Sequence, residues 1–230
     1  MIDTMTDRVR KLFAKAESTT SEHEAQALLS KAYDLLAKYG IDEAVAKAGA
    51  GTDSSEIGQW TFEPRGAYKY DQIILVNQIA SALHCSAIRL NKSVLRVYGA
   101  KRHLDRVELL AGMLVAYMLA TAGKSYPPHS RISTVTYRKS VMMGFIATVS
   151  ERLDSSEASA TQASSDTSGA EVVLASDARR AAAALAAEFP SVRSGSAARR
   201  SAAGFDAGAA AASNIDLGGK RVGGRHAISA

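Results

Sequence analysis

Two amphipathic stretches around a short polar break open this chain, and they restrict its N-terminus to a helical hairpin. Apolar side chains recur at helical spacing over residues 5–17, at Val9, Leu12, Phe13 and Ala16. The polar run STTS interrupts this pattern, and a second apolar stripe follows at Ala25, Leu28, Leu29, Ala32, Leu35, Leu36 and Tyr39. Because the connection is short, we expect the two helices to pack antiparallel along these stripes.

Both ends of the second helix carry recognisable signals. Ser21 with Glu24 three residues later forms a capping-box pattern, in which a hydroxyl and a carboxylate satisfy first-turn amides. Gly40 follows the last apolar position, where a left-handed residue commonly ends a helix. The sequence therefore predicts a helix that begins near Ser21 and ends at Gly40.

The segment VRKLFAKAESTTSEHEAQALLSKAYDLLAKYGID resembles a helical module of bacterial and phage proteins, domain of unknown function 2786. It combines AKAEST with YGID at the spacing of that family. Two later segments, TYRKSVMMGFIATVSERL and GFDAGAAAASNIDLGGKRVGG, resemble segments that often follow the module in actinobacterial and actinophage proteins. The resemblance implies a bacterial or phage protein with a C-terminal companion domain, and it implies no settled activity.

The remaining pattern predicts an α+β fold, with a small β-sheet packed by long helices. Strands are expected at QWTFE, HCSAIRL, SVLRVYG and AEVVLA. One further helix is expected to begin at Tyr70, and others are expected over residues 101–122, 132–153, 177–188 and 196–213. The predicted organisation is a hairpin module at 1–45, an α+β core at 60–154, a polar linker at 155–170 and an alanine-rich C-terminal segment at 171–230.

Composition narrows the class of protein. A formal charge of +5 and a pI of about 9.3 permit a polyanionic partner. The single cysteine, Cys85, excludes an internal disulfide and fits a reducing compartment. No uninterrupted apolar run reaches the roughly 18 residues of a bilayer span, and the N-terminus lacks a signal-peptide core. We therefore expect a cytoplasmic protein, in the host cytoplasm if phage-encoded, with no membrane partner.

Motifs for catalysis are missing from the sequence. There is no H-E-x-x-H, no nucleophile elbow, no Walker loop and no dinucleotide fingerprint, so we expect no cofactor, no metal and no catalytic residue. His84 and Cys85 are adjacent in a predicted strand and would point to opposite faces, which predicts a buried thiol and a surface imidazole. His103, with Asp105 and Glu108, opens a predicted helix whose positive end the acids would stabilise. An unrecognised hydrolase site stays open as a further alternative.

Three basic clusters favour binding to DNA or RNA through phosphate contacts with little sequence readout. Their members are Arg8, Arg10, Lys11 and Lys15 in the first helix, Arg131, Tyr137, Arg138 and Lys139 near the fifth, and Lys220, Arg221 and Arg225 in the glycine-rich tail. The alternative is a protein-interaction or assembly adaptor, or a homo-oligomer. That reading would use the alanine-rich helices at 177–213, or the hairpin edge at Tyr33, Leu36 and Tyr39.

Overall fold

The computed structural model describes residues 56–128, 132–164, 167–191 and 202–213. Within the N-terminal segment it describes residues 7–9, 11, 12, 14, 15, 18, 19, 24, 27, 28, 31, 32 and 34–40. All of these N-terminal residues except Thr19 are helical, as the apolar stripes predict.

After the N-terminal helical segment, strands and helices confirm the predicted α+β class. Their order is β1 (Ile57–Phe62), α1 (Lys69–Ala82), β2 (Ser86–Asn91), β3 (Val94–Ala100), α2 (Lys101–Lys124), α3 (Thr134–Gln162), α4 (Thr167–Glu188) and α5 (Ala202–Ser213). Helix α2 ends shortly before Pro127 and Pro128, since proline cannot supply the backbone donors of a continuing helix.

The three strands form one antiparallel sheet in the order β1-β3-β2. Side chains alternate between its two faces. Leu95 and Val97 of the central strand are buried in the main core with α1 and α2. Arg96 and Tyr98 point the other way, and both bond the carboxylate of Glu188 at the end of α4. The sheet therefore lies between the main helical core and α4.

Helix α2 is the central helix of the core. Its apolar stripe is buried at Val107, Leu110, Leu114 and Met118. By length and composition this helix could also cross a membrane, with a mean hydropathy of 1.4 over its most apolar window, and it is the one helix in the described residues that could. The core helices of soluble proteins share that property.

Helices α3 and α5 approach each other unusually closely, through glycines. A Cβ placed on Gly208 would lie 1.7 Å from the carbonyl oxygen of Val141, and one on Gly144 would lie 1.9 Å from that of Phe205. Only glycine lets the two backbones come this near. The alanine-rich C-terminal helix thus packs on the protein's own core.

Two of the predicted elements are wrong. The polar linker predicted at 155–170 is helical up to Gln162, and the predicted strand AEVVLA belongs to helix α4. In both places a stripe of buried residues continues at helical spacing and includes polar or small side chains. Its members are Ser156, Glu157 and Thr161 on α3, and Ala170, Val173, Leu174, Asp177 and Ala181 on α4. Polar residues hid this helical periodicity at the end of α3, and the β-branched pair Val172 and Val173 suggested a strand at the start of α4.

The N-terminal segment packs into the same core. Val9, Ala32 and Leu36 are buried there, so Leu36 is not part of a free docking edge; Tyr33 lies outside the described residues. Gly40 is helical and does not have the left-handed conformation expected of it. The predicted capping box also lies partly outside the described residues, at Ser21. The Glu24 carboxylate accepts a hydrogen bond from Thr19 and pairs with Lys15.

Candidate functional site

Five ionisable side chains meet in the interior and form what we call the buried ion cluster: Arg102, His103, Arg106, Glu157 and Asp177. The first three come from the start of α2, and the others from α3 and α4. Each residue is at most 5% exposed. Burial of charge is unfavourable unless the charges pair, and the pairing here is extensive.

Asp177 is the acceptor for one half of the cluster. Its Oδ2 lies 3.0 Å from Nε2 of His103 and also accepts from the Arg102 guanidinium. Burial lowers the pKa of His103 to about 4, so the imidazole is neutral at pH 7. Burial acts to raise the pKa of Asp177, but the bond from His103 and the nearby arginines outweigh it and lower that pKa. At neutral pH this half therefore holds an ionised carboxylate, a guanidinium and a neutral imidazole.

Arg106 and Glu157 form the other half of the cluster as a bidentate salt bridge. Nη1 of Arg106 lies 3.3 Å from Oε2 of Glu157, and Nη2 donates to Oε1. The same guanidinium lies against the N-terminal segment. A Cβ on Gly40 would be 2.4 Å from Nη1 of Arg106. A side chain in place of the glycine of the YGID motif would therefore force this guanidinium to shift.

His84 approaches the cluster from the end of α1. The backbone amide of Cys85 bonds the carbonyl of Ala80, and that of His84 bonds the carbonyl of Ser81, as in a Schellman motif. His84 therefore lies before the strand, in the left-handed position with φ 58°, where glycine is usual. Its ring centroid lies 5.5 Å from that of His103. Burial lowers the pKa of His84, and the nearby Glu157 only partly opposes this.

A cleft of about 450 Å³ opens beside His84; we call it the His84 cleft. Its ionisable lining residues are His84, Asp154, Glu157 and Glu171. Cys85 does not line it. That thiol is buried against Gly99, and burial raises its pKa to about 12, so it is neither a nucleophile nor a thiolate ligand at neutral pH. Among the described residues, no group of three histidine, cysteine or carboxylate side chains could hold a metal ion.

The structure places the predicted nucleic-acid-binding residues in different surroundings. Arg8, Lys11 and Lys139 are exposed, and Lys15 is paired with Glu24. Arg138 donates to the carbonyl oxygens of Gly123 and Ser125 and lies over the ring of Tyr126. Tyr137 is 7% exposed, so its ring offers no face to a base. The remaining predicted residues, Arg10, Arg131, Lys220, Arg221 and Arg225, lie outside the described residues.

A different basic surface forms where the start of α1 meets the β2–β3 hairpin. We call it the Tyr70 patch, and its members are Arg65, Lys69, Tyr70, Arg89 and Lys92, all exposed. The guanidinium carbon of Arg89 lies 5.0 Å from the ring centroid of Tyr70. None of the four cations forms a salt bridge within the part of the chain that the structure describes.

Sequence reasoning missed both the buried ion cluster and the Tyr70 patch. For the cluster a signal existed: positions 103, 107, 110 and 114 share one helix face, so His103 lies in the register of the apolar stripe. His103 does lie at the start of α2, as expected, but its burial and its bond to Asp177 were not expected. For the patch no sequence signal existed, since nothing in the sequence indicates that Tyr70 and Arg89 meet.

The fold and the cluster define an α+β protein whose N-terminal helical segment packs onto a core with buried ion pairs. Residues 4–43 match the family model described as protein of unknown function (DUF2786), so the N-terminal module belongs to that family, as its motifs indicated. The match covers the predicted hairpin module and ends before β1. Neither the curated proteins nor the solved structures give a match to this chain.

Proposed function

We propose that this protein binds nucleic acid, and that the Tyr70 patch is the contact surface. The supporting observation is the exposed Arg89–Tyr70 pair flanked by cations that have no carboxylate partner in the described residues. Unpaired cations attract phosphates and release the counterions bound to them. An exposed aromatic ring beside a guanidinium is also a surface on which a base can stack.

Local structure supports a defined contact surface. The side-chain amide of Gln72 donates to the carbonyl oxygens of Arg65 and Ala67, at 2.8 and 2.7 Å, which fixes the segment before α1. On the other side, the amide of Ser93 bonds the Asn91 side chain and shapes the turn that presents Lys92. The charges therefore project from ordered backbone on both sides of Tyr70. Binding through phosphates and one ring would carry little sequence preference.

The adaptor alternative has less support. Two of the surfaces that it would use are occupied within the chain, because α5 packs on α3 and Leu36 is in the core. Helix α4 likewise lies on the sheet, where Glu188 bonds Arg96 and Tyr98. Three of the elements that such an adaptor would use therefore already pack within the chain.

The test is fluorescence anisotropy with a labelled single-stranded oligonucleotide, over a series of salt concentrations. We expect a Kd that rises steeply with salt, in the range of about 10⁻⁴–10⁻⁶ M typical of non-specific binding near physiological salt. The double reversal Arg89→Glu/Lys92→Glu should raise the Kd at least about tenfold, since it replaces two phosphate contacts with repulsion.

The matched control is Lys11→Glu/Lys139→Glu, which changes the net charge equally on two other exposed cations. It should raise the Kd by no more than about twofold, as expected for a change in long-range attraction alone. An equal loss of affinity in both double variants would reject the Tyr70 patch as the contact surface. A Kd that does not change with salt concentration would reject the phosphate mechanism altogether.

A further inference from the structure

We propose that the solvent side of helix α2 binds the same side of a second copy of this chain, with the two helices antiparallel. We call this surface the α2 face; its members are Leu109, Gly112, Met113, Ala116, Leu119 and Ala120. It shares no residue with the Tyr70 patch, so this association does not depend on nucleic-acid binding. Two features of the helix indicate a second copy as the partner: an exposed apolar surface and a self-complementary arrangement of charge.

The exposed side of α2 is apolar over most of its length. From Leu109 to Gly123 the helix carries no charged side chain. Only 33% of its most apolar window is buried, whereas a core helix of this hydropathy is ordinarily mostly buried. A helix that is apolar on all sides is normally covered on all sides. The exposed side of α2 therefore has the character of a contact surface.

A bilayer fits this helix less well than a protein partner does. The opposite side of α2, at Val107, Leu110, Leu114 and Met118, is buried in the core against α1, α3 and the sheet. To span a bilayer, the helix would have to leave this core and expose the apolar sides of the elements that pack on it. A partner that contacts only the outer side leaves the core intact.

Small residues form a row along the α2 face. Gly112, Ala116 and Ala120 are all exposed and follow one another at intervals of four residues. Such rows are the ridges along which helices most often pack in globular proteins, at a crossing angle of about −50°. Small side chains in the row let two helices approach closely. The half-buried Leu109 and Leu119 lie on either side of the row and supply apolar contact beside it.

The same row ends on opposite charges. Glu108 lies four residues before Gly112, and Lys124 lies four residues after Ala120; both are exposed and form no salt bridge within the described residues. In a two-fold antiparallel pair centred on Ala116, Glu108 of each copy lies opposite Lys124 of the partner subunit. A parallel pair would place like charges together at both ends, which is unfavourable. Because the row complements its own antiparallel copy, a second copy of this chain is the partner that it fits best.

The first test is analytical ultracentrifugation of the full chain after nuclease treatment. We expect a reversible equilibrium between a monomer of 24.2 kDa and a dimer of twice that mass. Its Kd should be micromolar, since a contact built on one helix face is small. Ala116→Glu should raise this Kd at least about tenfold, because it buries an unpaired charge at the centre of the contact.

The matched control for this variant is Ala183→Glu, the same change at an exposed position of α4. It alters the net charge equally and should raise the dimer Kd by no more than about twofold, through long-range repulsion alone. Circular dichroism establishes that both variants fold.

A charge exchange at low salt tests the antiparallel pairing. Glu108→Lys and Lys124→Glu should each raise the dimer Kd about tenfold, because each turns two exposed ion pairs of the two-fold contact into repulsions. An equimolar mixture of these two variants should restore the original affinity as a heterodimer. The double variant Glu108→Lys/Lys124→Glu should restore it as a homodimer. A parallel pair would show no loss of affinity in the single variants.

A monomeric mass at several hundred micromolar unaltered protein would overturn the proposal, whether or not any variant folds. Equal dimerisation of Ala116→Glu and the unaltered protein would overturn it too, as would a mixture that fails to restore affinity. Co-sedimentation of a monomer with phosphatidylcholine vesicles, lost in Ala116→Glu, would assign the α2 face to a bilayer instead. Arg89→Glu/Lys92→Glu should leave the dimer Kd unchanged, so loss of nucleic-acid binding in that variant is read separately from dimerisation.

Discussion

At the scale of single residues, the contact between Gly40 and Arg106 ties the N-terminal module to the buried ion cluster. The guanidinium occupies the space that a Cβ on Gly40 would need, and moving it aside would disturb its two bonds to Glu157. The motif glycine thus serves close packing and not the left-handed turn that its position suggested. Side-chain crowding of this kind is set by tertiary structure and cannot be derived from local sequence.

Gly40→Ala should therefore lower the free energy of unfolding by about 1–3 kcal/mol, as overpacking in a closely packed interior does. Urea denaturation followed by circular dichroism measures this change. Gly112→Ala is the matched control: Gly112 lies within α2 with nothing near its missing Cβ. That change should be neutral or stabilising by up to about 1 kcal/mol. Equal effects of the two substitutions would contradict the assigned role of Arg106.

His103 makes the stability depend on pH. Its pKa is about 4 in the folded protein and 6.5 ordinarily, because burial disfavours the charged ring. Between these values the unfolded chain binds a proton that the folded chain does not, so the free energy of unfolding falls as the pH falls through this window. The loss from this residue amounts to at most about 3 kcal/mol. The lowered pKa of His84 acts in the same direction.

His103→Gln retains a donor for Asp177 and cannot titrate. Its free energy of unfolding should fall less between pH 6.5 and pH 4 than that of the unaltered protein, measured by urea denaturation at several pH values. Parallel pH profiles for the two proteins would show that His103 is not responsible.

At the scale of elements, the sequence predicted the N-terminal helices, the three strands and the starts of α1 and α2. The amphipathic pattern of each is carried by apolar side chains, such as Leu75 and Val76 in α1. The helix predicted over 177–188 is confirmed as the second half of α4, whereas the prediction failed in the first half of α4 and at the end of α3. There Glu157 and Asp177 occupy core positions through partners more than 50 residues away in the chain, which no local pattern reveals.

The packing of α5 on α3 depends on glycine. Gly208→Ala places a methyl group against the carbonyl of Val141, which is backbone and cannot rotate away. We expect α5 to separate from α3, with faster cleavage near residue 205 in limited proteolysis and a lower melting temperature. Asp206→Ala, an exposed change in the same helix, should leave the rate of cleavage unaltered. Equal cleavage of the two variants would contradict the close helix contact.

At the scale of the whole molecule, the Tyr70 patch exists only because the chain folds. The sequence indicated a basic protein and suggested three clusters of cations. The fold instead brings Tyr70 at the start of α1 beside Arg89 in β2, and it uses Arg138 to cap α2 through carbonyl oxygens. Net charge is a property of composition, but the arrangement of charges is set by contacts between distant segments.

The most direct test of the proposed nucleic-acid contact is ultraviolet cross-linking to a single-stranded oligonucleotide, followed by mass spectrometry of the peptides. We expect cross-links at Tyr70 and in the β2–β3 hairpin around Arg89, and their loss in the Arg89→Glu/Lys92→Glu variant. Cross-links confined to the N-terminal helices or to the region around Tyr126, with none at Tyr70, would contradict it.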